Sequence, residues 1–575
     1  MDFLITKNIK NNSTFSLLYS PDSFKTSNNI YISDKNKSFK FYNQDKKTII
    51  VIGDLVSIDQ ESFDSLYEKI NKQIINELNG FFYLIYIDEN VKILKVFSSL
   101  FNILPIYYSV INDYVYLSSK ITLIADKIED YIDVDEQYIL ERYLFNYSLF
   151  NRTYFKQIST IKANHFVEVS DKITERKIFD ISNLFVPKPQ KGQKVIDELV
   201  DYFMEEVSSY LPNDYFSVSF TGGFDGRTLV ALSKYYNRNF FTYSFGAFGS
   251  EDIDIPRHQA SKLSIEYIPL HLDDNYIDKS YNYGLELMNI TEGHASLNRS
   301  HYLYAMEQIS KKTNVVLSGT FGSELFRALH IPGVVISKNL VNFFAFESKD
   351  AWIKSIKLAD EWKFLKKSFY KKEFECLIEE LYDYHKENSE LTRNRFFYKF
   401  VFDEIFRKYF GPEIIMQQYY LNSRCPYINF NFIQKLLKTI YCGVYSDFFS
   451  NNPIRRFKGQ ILYAHIIRKS CSEIFSMKTG KGYSPSNLLS NTGKLILIKN
   501  FLSKKINLSS NKEIDQLSVE KVFRKNLNKI NNIKLLNNLH DNDFFKKSLN
   551  SDKVHNRDLI YTIFSLNAFL SKYFN

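Results

Sequence analysis

Cysteine is scarce in this sequence, and the few cysteines are not clustered. Only four occur in 575 residues, Cys376, Cys425, Cys442 and Cys471, and no two form a CxxC pair. Neither a disulfide framework nor a zinc site is therefore expected, because both need paired or clustered cysteines. Such cysteine usage fits a reducing compartment, so the sequence predicts a cytoplasmic protein.

Signals for export, membrane insertion and nucleic-acid binding are also lacking. The opening MDFLITKNIKNN has neither the basic nor the apolar region of a signal peptide. No apolar run reaches the roughly 20 residues that a spanning helix needs. The net charge of +9 is spread along the chain without a basic stripe. The sequence therefore predicts neither a membrane partner nor a nucleic-acid partner.

Aromatic residues are abundant, and the chain is long enough for more than one domain. It contains 51 Phe and 41 Tyr, and 45% of its residues are hydrophobic, which predicts large aromatic cores. Residues 1–190 carry short alternating segments such as KTIIVIG and GFFYLIYID, separated by turn residues, and they predict a layered β-sandwich domain in an α+β arrangement with one helix. VPKPQKGQK at 186–194 has the composition of a linker.

Residues 191–575 change pattern. Strand-like and helix-like segments alternate, which predicts an α/β domain with a doubly wound parallel sheet. From about residue 335 the chain is predicted to be helical to its end, and the apolar spacing in 557–574 predicts an amphipathic helix. Residues 486–556 are rich in Asn, Lys and Ser, which indicates either loops or only a compositional bias.

The stretch FTGGFDGRTL (220–229) lies between a strand pattern and a helix pattern. Ligands of open parallel sheets bind beyond the carboxyl ends of strands. Gly222 and Gly223 permit close approach of a ligand, and the N–H groups with the helix N-terminus favour an anion. Asp225 suits such a site if Mg²⁺ bridges it to phosphates. The alternative is an ordinary strand-to-helix turn capped by Asp225.

TGGFDGR resembles the pyrophosphate loop of the N-type ATP pyrophosphatases. More narrowly, it is similar to SGGLDSS of the asparagine synthetase superfamily, which includes β-lactam synthetases and lasso-peptide macrolactam cyclases. The resemblance implies a PP-loop fold of the adenine nucleotide α-hydrolase type. Gly226 and Arg227 replace the two serines of the family. The implied ATP and pyrophosphate ligands in this loop are Thr221, Gly222, Gly223, Asp225 and Gly226.

Two later motifs extend the resemblance towards the nucleotide. SFGAFGSEDIDIPRHQASKL (244–263) resembles the family stretch that frames adenine, with Phe245 at the framing position and Asp252 either at its acidic position or as a helix N-cap. VVLSGTFGSELFRA (315–328) resembles LSGEGADELFGGY. The resemblance implies that Ser318 and Gly319 contact the nucleotide.

Substitutions in that second motif alter the implied chemistry. Thr320 replaces a family Glu, and Ser323 replaces an Asp that binds Mg²⁺, while Glu324 is kept. The implied metal positions are therefore Asp225 and Ser323, with Glu324 as a catalytic candidate.

Two further motifs follow in family order. NSRCPYINFNFIQKLL (422–437) is similar to EARSPFLDxxLVEF, and its Arg424 either pairs with an acid or reaches a phosphate. FSMKTGKGYSP (475–485) is similar to RxKxGFxxP, which carries a catalytic lysine in the family. Lys478 and Lys481 both fit that position, and the alternative is a solvated pair of charges on a loop.

The first domain resembles the glutaminase-like domain of asparagine synthetases in NGFFYLIYID, LPIYYS, YVYLSSKITLI and TYFKQISTIKANHFVEV. That domain uses an N-terminal cysteine, whereas Asp2 follows Met1 here, so glutamine hydrolysis is not expected.

Together the resemblance implies an ATP-dependent, Mg²⁺-requiring, AMP-forming amide synthetase. It would activate a carboxylate for attack by an amine of a small molecule or a precursor peptide, in macrolactam- or β-lactam-type chemistry, and a homodimer is compatible with it. The alternative is a non-catalytic member that binds a nucleotide or a peptide. A sulfur-transferring pyrophosphatase acting on tRNA is disfavoured, because a catalytic cysteine pair is lacking.

Overall fold

The structure is a computed structural model that describes residues 1–10, 16–18, 29–33, 39–326, 335–366, 370–446, 448–449, 458–493, 495–497, 521–522, 524–526, 541–549 and 557–573. The strands within these ranges are β1 Asp2–Asn8, β2 Ser16–Leu18, β3 Asn29–Ser33, β4 Phe39–Gln44, β5 Lys47–Leu55, β6 Gly80–Asp88, β7 Ile93–Ser98, β8 Tyr107–Ile111, β9 Tyr114–Ser118, β10 Ser159–Thr160, β11 His165–Val169, β12 Ile173–Lys177, β13 Phe216–Ser219, β14 Phe240–Gly246, β15 Tyr267–His271, β16 Val315–Leu317 and β17 Asn422–Arg424.

Helices occur in both halves of the chain. They are α1 Phe63–Lys72, α2 Ile121–Ala125, α3 Glu136–Phe145, α4 Gln193–Tyr210, α5 Phe224–Tyr235, α6 Glu251–Lys262, α7 Asp274–Ile290, α8 Ser300–Ser310, α9 Gly322–Phe326, α10 Lys338–Ala345, α11 Lys349–Leu358, α12 Asp360–Lys363, α13 Lys371–Glu387, α14 Arg393–Phe400, α15 Gly411–Tyr420, α16 Phe430–Leu436, α17 Lys458–Ser470, α18 Ser472–Ser476, α19 Pro485–Leu489, α20 Asn542–Leu549 and α21 Arg557–Leu570, with a π-helix Val401–Phe410 between α14 and α15.

Two six-stranded sheets form the first part of the chain. Their strand orders are β10-β8-β9-β1-β3-β2 and β12-β11-β7-β6-β5-β4. The sheets pack face to face, and the rings of Phe3 and Tyr83 meet between them at 5.1 Å. Alternation in β5 sends Ile50 and Ile52 into this core, and sends Ile49 and Val51 to the opposite face, which α1 covers. The layers agree with the predicted β-sandwich, whereas the domain boundary at residue 190 stays a prediction.

A five-stranded sheet with only parallel pairs forms the second part. Its order is β15-β14-β13-β16-β17. The chain enters at the central strand β13, builds outward through β14 and β15, and then returns to the other side at β16. Connections therefore leave β13 and β16 on opposite sides, which makes the ends of these strands the topological switch point where ligands bind. The predicted doubly wound parallel sheet is present.

The prediction of an all-helical region after residue 335 was wrong at one place. Asn422–Arg424 forms β17 and pairs in parallel with β16. Three polar residues have no apolar alternation, so the sequence pattern gave no strand signal; the edge of the sheet supplies the hydrogen bonds instead. The rest of the described chain after Lys338 is helical or irregular.

The C-terminal helix is more deeply buried than its pattern indicated. In α21 every side chain from Leu559 to Asn567 is buried, and Phe569 packs on Tyr154 with ring centroids 4.6 Å apart. The helix thus fills a gap between the two parts of the chain. Much of the stretch 486–556 lies outside the described residues. Within the described part of the chain, no helix is long and apolar enough to cross a membrane.

Candidate functional site

The glycine loop lies at the switch point of the parallel sheet. β13 ends at Ser219, and α5 begins at Phe224 with Gly223 as its N-cap. A Cβ on Gly226 would lie 2.2 Å from the carbonyl oxygen of Ser219. The first turn of α5 therefore packs directly on the end of β13, in a position that only glycine allows.

Asp225 lies at the centre of the site, in the first turn of α5. Ser323 donates a hydrogen bond to its Oδ2 at 2.8 Å, and the hydroxyl of Tyr463 donates to its Oδ1. The hydroxyl of Tyr427 donates to its backbone oxygen at 2.9 Å. The carboxylate is thus held in one orientation by two hydroxyl groups from distant parts of the chain.

The turn after β16 packs against this loop. A Cβ on Gly319 would lie 3.0 Å from both the Cβ of Asp225 and the amide nitrogen of Gly226. Ser318 and Thr320 share a hydroxyl–hydroxyl hydrogen bond of 2.6 Å. The structure therefore brings Ser318, Gly319 and Ser323 next to Asp225, as the sequence motifs predict for one site.

The buried side chain of Arg227 fastens a third segment to the loop. It donates to the backbone oxygens of Met477 at 3.1 Å and Lys478 at 3.2 Å. Burial lowers the pKa of its guanidinium to about 10. The amide of Gly480 donates to the oxygen of Gly222 at 3.3 Å. Residues 477–482, hereafter the 477–482 segment, therefore lie directly against the glycine loop.

The two candidate lysines lie on this segment, and both are exposed. Gln259 of α6 donates to the backbone oxygen of Lys478 at 2.7 Å. Lys478 also lines a cleft of about 900 Å³ between α6 and the 477–482 segment. The described contacts fix the backbone of this segment, and the choice between Lys478 and Lys481 stays open.

Phe245 lies at the carboxyl end of β14, beside β13. Its ring packs on His301 and Tyr302, with centroid distances of 5.1 Å to each. Burial, followed by the charge of Arg299, lowers the pKa of His301 to about 4. Phe245 is thus at the strand end predicted for the adenine. Asp252 is not the N-cap of α6, because Ser250 occupies that position.

Glu413 is a site residue that the sequence analysis missed. It lies in the first turn of α15, and its Oε1 accepts a hydrogen bond from the hydroxyl of Thr320 at 3.2 Å. Arg299 lies 3.5 Å from its other oxygen. Burial raises the pKa of Glu413. A carboxylate thus lies beside Thr320 although the family Glu is absent there. Glu324 is buried in the short helix α9.

Arg424 forms an ion pair with Asp54 in the first part of the chain. Its Nε and Nη2 lie 2.8 and 3.1 Å from the two carboxylate oxygens of Asp54, and its Nη1 donates to the oxygen of Tyr210. Nearby, Asn429 donates to the side-chain oxygen of Asn79 at 3.2 Å. Of the two readings of Arg424, the structure supports the ion-pair donor.

The side chains of Asp225 and Ser323 are suited to Mg²⁺ only if phosphate oxygens complete its coordination. Within the described residues, no group of three or more His, Cys, Asp or Glu side chains could hold a metal. Asp225 offers one carboxylate, and Ser323 is hydrogen-bonded to it rather than replacing the missing carboxylate. Mg²⁺ is commonly held by one or two carboxylates together with substrate phosphates and waters, which this arrangement allows.

Comparisons with known proteins agree with both parts of the resemblance. A family model described as "Glutamine amidotransferase domain" matches residues 56–179. The chain is 25% identical over 287 residues to asparagine synthetase [glutamine-hydrolyzing] 1 of Bacillus subtilis, a match that covers 48% of this chain and 43% of that protein. The match therefore spans less than half of this relative's length.

A solved structure also matches, at low similarity. It is a glutamine phosphoribosylpyrophosphate amidotransferase from B. subtilis complexed with ADP and GMP, with 10% identity, a TM-score of 0.16, and coverage of 40% of this chain and 47% of that one. The family model and the curated relative thus show that this chain is similar to an asparagine synthetase and that its residues 56–179 match a glutamine amidotransferase domain.

Proposed function

We propose that this protein is an ATP-dependent, AMP-forming amide synthetase with a PP-loop nucleotide site. One observation carries the proposal: loops from the carboxyl ends of β13 and β16 meet at Asp225, where glycines permit close approach and Ser323 orients the carboxylate. Backbone N–H groups at a helix N-terminus suit a triphosphate. The 477–482 segment adds lysines at the edge of the same loop.

The proposed reaction has two steps. A substrate carboxylate oxygen attacks the α-phosphorus of ATP, and pyrophosphate leaves to give an acyl-adenylate. An amine then attacks the acyl carbon, AMP leaves with the bonding electron pair, and an amide forms. The N–H groups around residues 221–226 and a cation from Lys478 or Lys481 would stabilise the leaving pyrophosphate. Mg²⁺ held by Asp225 would neutralise phosphate charge.

Glu413 is suited to the proton transfer in the second step. The attacking amine must lose a proton as the amide forms, and a carboxylate with a raised pKa is a competent acceptor near neutral pH. The side chain of Glu413 is 13% exposed, and Thr320 and Arg299 contact its two oxygens. We assign it the role that the family Glu at position 320 would otherwise fill.

We further propose that the amine comes from the substrate rather than from glutamine. The first 375 residues contain no cysteine, so the amidotransferase-like part lacks the usual thiol nucleophile in this sequence. An amine already present on a small molecule or precursor peptide would give a lactam or macrolactam. A cytoplasmic location and a homodimer belong to the same proposal and rest on the sequence alone.

A second candidate function is nucleotide or peptide binding without catalysis. The observation that favours it is the pair of hydroxyl donors already bonded to Asp225, with the 477–482 segment packed over the loop. In this case Asp225 would not take up Mg²⁺, and a bound nucleotide would keep its pyrophosphate. The two candidates differ in whether pyrophosphate is released.

ATP–pyrophosphate exchange separates them. Labelled pyrophosphate, ATP and Mg²⁺ are incubated with the protein and a panel of amino-acid and peptide carboxylates. We expect exchange with at least one carboxylate. The exchange rate should fall at least 100-fold in Asp225→Ala and should be unchanged in Asp214→Ala, which alters a loop outside the site. In Glu413→Gln, exchange should persist while amide formation falls. Nucleotide binding without exchange across the panel would favour the second candidate.

A further inference from the structure

A groove of about 710 Å³ lies between the first part of the chain and helix α13. One wall consists of residues from the segment 150–165 and from the end of β12, and the other consists of α13 and the start of the π-helix. Its volume is within the range of about 300–1,000 Å³ that is usual for ligand pockets. Asp225, Ser323 and Glu413 are not among its lining residues, so this α13 groove is separate from the glycine-loop site.

One face of α13 presents carboxylates to the groove. Residues 380, 383, 384, 387 and 388 line it, and their three- and four-residue spacing places them on one side of the helix. Asp383 and Glu387 are exposed, and neither forms an ion pair with another residue that the structure describes. Both carboxylates are therefore accessible to a ligand that enters from solvent.

Carboxylates outnumber cations in the lining of the groove. Seven carboxylates line it: Asp135, Asp180, Glu380, Asp383, Glu387, Asp403 and Glu404. Five cations line it: Arg152, Lys156, Lys162, Lys177 and Lys399. Burial lowers the pKa of His165, so its ring adds no positive charge near neutral pH. The lining therefore carries a net negative charge.

The cations of the lining are already paired, with one exception. Their carboxylate partners are Glu380 for Arg152, Glu136 for Lys156, and Asp180 for both Lys177 and Lys399. Lys162 alone has no ion pair among the described residues. Directly behind the lining, Glu136 and Glu141 add carboxylates and Arg407 adds one cation, so the sign of the groove does not change. Its unpaired charge is mainly that of Asp383 and Glu387.

Phe150 lines the groove with an unusual backbone conformation. Its φ of 54° is rare for a bulky residue. Its N–H donates to Oε2 of Glu404 at 3.0 Å, and its oxygen accepts from Nη2 of Arg407 at 2.6 Å. Glu404 and Arg407 pair with each other at 2.7 Å on the π-helix. Strained residues that are fixed in this way cluster at functional sites, and π-helical turns are frequent there.

Aromatic rings lie beside the carboxylates. The rings of Phe150 and Tyr384 are 5.7 Å apart, and both line the groove with Asp383 and Glu387. Carboxylates attract a cation by charge, and aromatic faces attract ammonium and guanidinium groups. Within the described residues, no group of three or more His, Cys, Asp or Glu side chains could hold a metal ion. The groove is therefore suited to an organic cation.

We propose that the α13 groove binds a peptide segment that carries lysine or arginine side chains. From residue 380 to residue 388 the helix spans about 12 Å, which is the length of about three to four extended residues. A peptide can place cations on Asp383 and Glu387 along this length and offer carbonyl oxygens to Lys162 on the opposite wall. The inference concerns binding alone and does not depend on the proposed amide synthetase activity.

Fluorescence anisotropy with fluorescein-labelled tetralysine tests the proposal without a nucleotide. The chain has a net charge of +9, so its overall charge does not attract a cationic peptide, and binding reports a local acidic site. We expect saturable binding of tetralysine at low ionic strength and no binding of labelled tetraglutamate. The affinity for tetralysine should fall at least tenfold in the double variant Asp383→Asn with Glu387→Gln.

The matched control is the double variant Glu375→Gln with Glu379→Gln, which removes two exposed carboxylates from another face of α13. Its affinity for tetralysine should equal that of the unaltered protein. Equal affinities in the two double variants would overturn the proposal. Displacement of the peptide by spermidine at concentrations as low as those of unlabelled tetralysine would assign the groove to a free polyamine, and would also overturn it.

Carbodiimide cross-linking of tetralysine to the unaltered protein gives a second measurement that does not depend on any variant folding. The reagent activates a carboxylate, and a lysine amine in contact with it displaces the activating group to form an amide. We expect mass spectrometry to locate the cross-links at Asp383 or Glu387. Cross-links found only at carboxylates outside the α13 groove would overturn the proposal.

Discussion

Arg424 and Asp54 form a two-point ion pair between β17 and β5, with nitrogen–oxygen distances of 2.8 and 3.1 Å. Asp54 lies at the end of β5, and Arg424 ends the strand that completes the parallel sheet. The pair therefore couples the amidotransferase-like sheets to the edge of the proposed nucleotide-binding sheet.

Breaking this pair should destabilise the protein. In Arg424→Gln the carboxylate of Asp54, whose side chain is only 8% exposed, loses its cation. Leaving a mostly buried charge unpaired costs about 3–5 kcal/mol. Chemical denaturation monitored by Tyr fluorescence measures the loss. The matched control is Arg257→Gln, which removes an exposed pair with Asp254 and should cost less than about 1 kcal/mol. Equal losses in the two variants would contradict the assignment.

The close approach at Gly226 makes a restored family serine harmful. Gly226→Ser places a Cβ 2.2 Å from the oxygen of Ser219, so α5 must move away from β13, at a cost of about 2 kcal/mol or more. Gly223→Ala is the control, because its added Cβ meets only the hydroxyl of Thr221 at 3.5 Å. Unfolding midpoints of the two variants check this. If the Gly226→Ser protein were as stable as Gly223→Ala, α5 would pack less tightly on β13 than this distance indicates.

Arg227 should protect the 477–482 segment from proteolysis. Arg227→Gln removes the donors to Met477 and Lys478, and the segment then opens more often. Trypsin cleaves after lysine, so cleavage at Lys478 and Lys481 should be at least several-fold faster. Mass spectrometry of the fragments measures the cleavage, with Arg238→Gln, between α5 and β14, as the control. Unchanged cleavage at these two lysines would exclude Arg227 as the anchor.

His301 should make stability sensitive to acid. Its folded pKa of about 4 lies below the ordinary value of 6.5, so the unfolded chain binds more protons between these values. The stability contribution is therefore complete above pH 6.5 and is lost as the pH falls towards 4. His301→Phe should flatten this part of the profile of unfolding midpoint against pH. An unchanged profile in His301→Phe would contradict the burial argument.

The sequence predicts what depends on local pattern. Alternation in KTIIVIG and GFFYLIYID gives β5 and β6, and glycines with an acid after a strand give the loop at Asp225. Contacts between distant residues carry no such signal. Glu413 reaches Thr320 only because α15 packs against β17, the strand that pairs with β16. The start of GPEIIMQQ gives no more than a helix with an acid in its first turn.

Partners that are distant in the sequence also explain the other differences between the prediction and the structure. Tyr463 on α17 reaches Asp225 through tertiary packing, and β17 is a strand because it meets a sheet edge. Arg424 could be read as a phosphate ligand or as an ion-pair donor, and only the position of Asp54 decided between them. In each case the deciding contact is made with a distant residue, and the identity of that partner was what the chain alone could not supply.

The most direct test of the central claim is a crystal structure with Mg²⁺ and α,β-methylene-ATP, which cannot release pyrophosphate. The account predicts the triphosphate on residues 221–226, Mg²⁺ on Asp225, and the adenine beside Phe245. Calorimetry should show that Asp225→Asn weakens binding at least tenfold. A structure in which Tyr463 and Ser323 still hold Asp225, with no nucleotide at the loop, would contradict it.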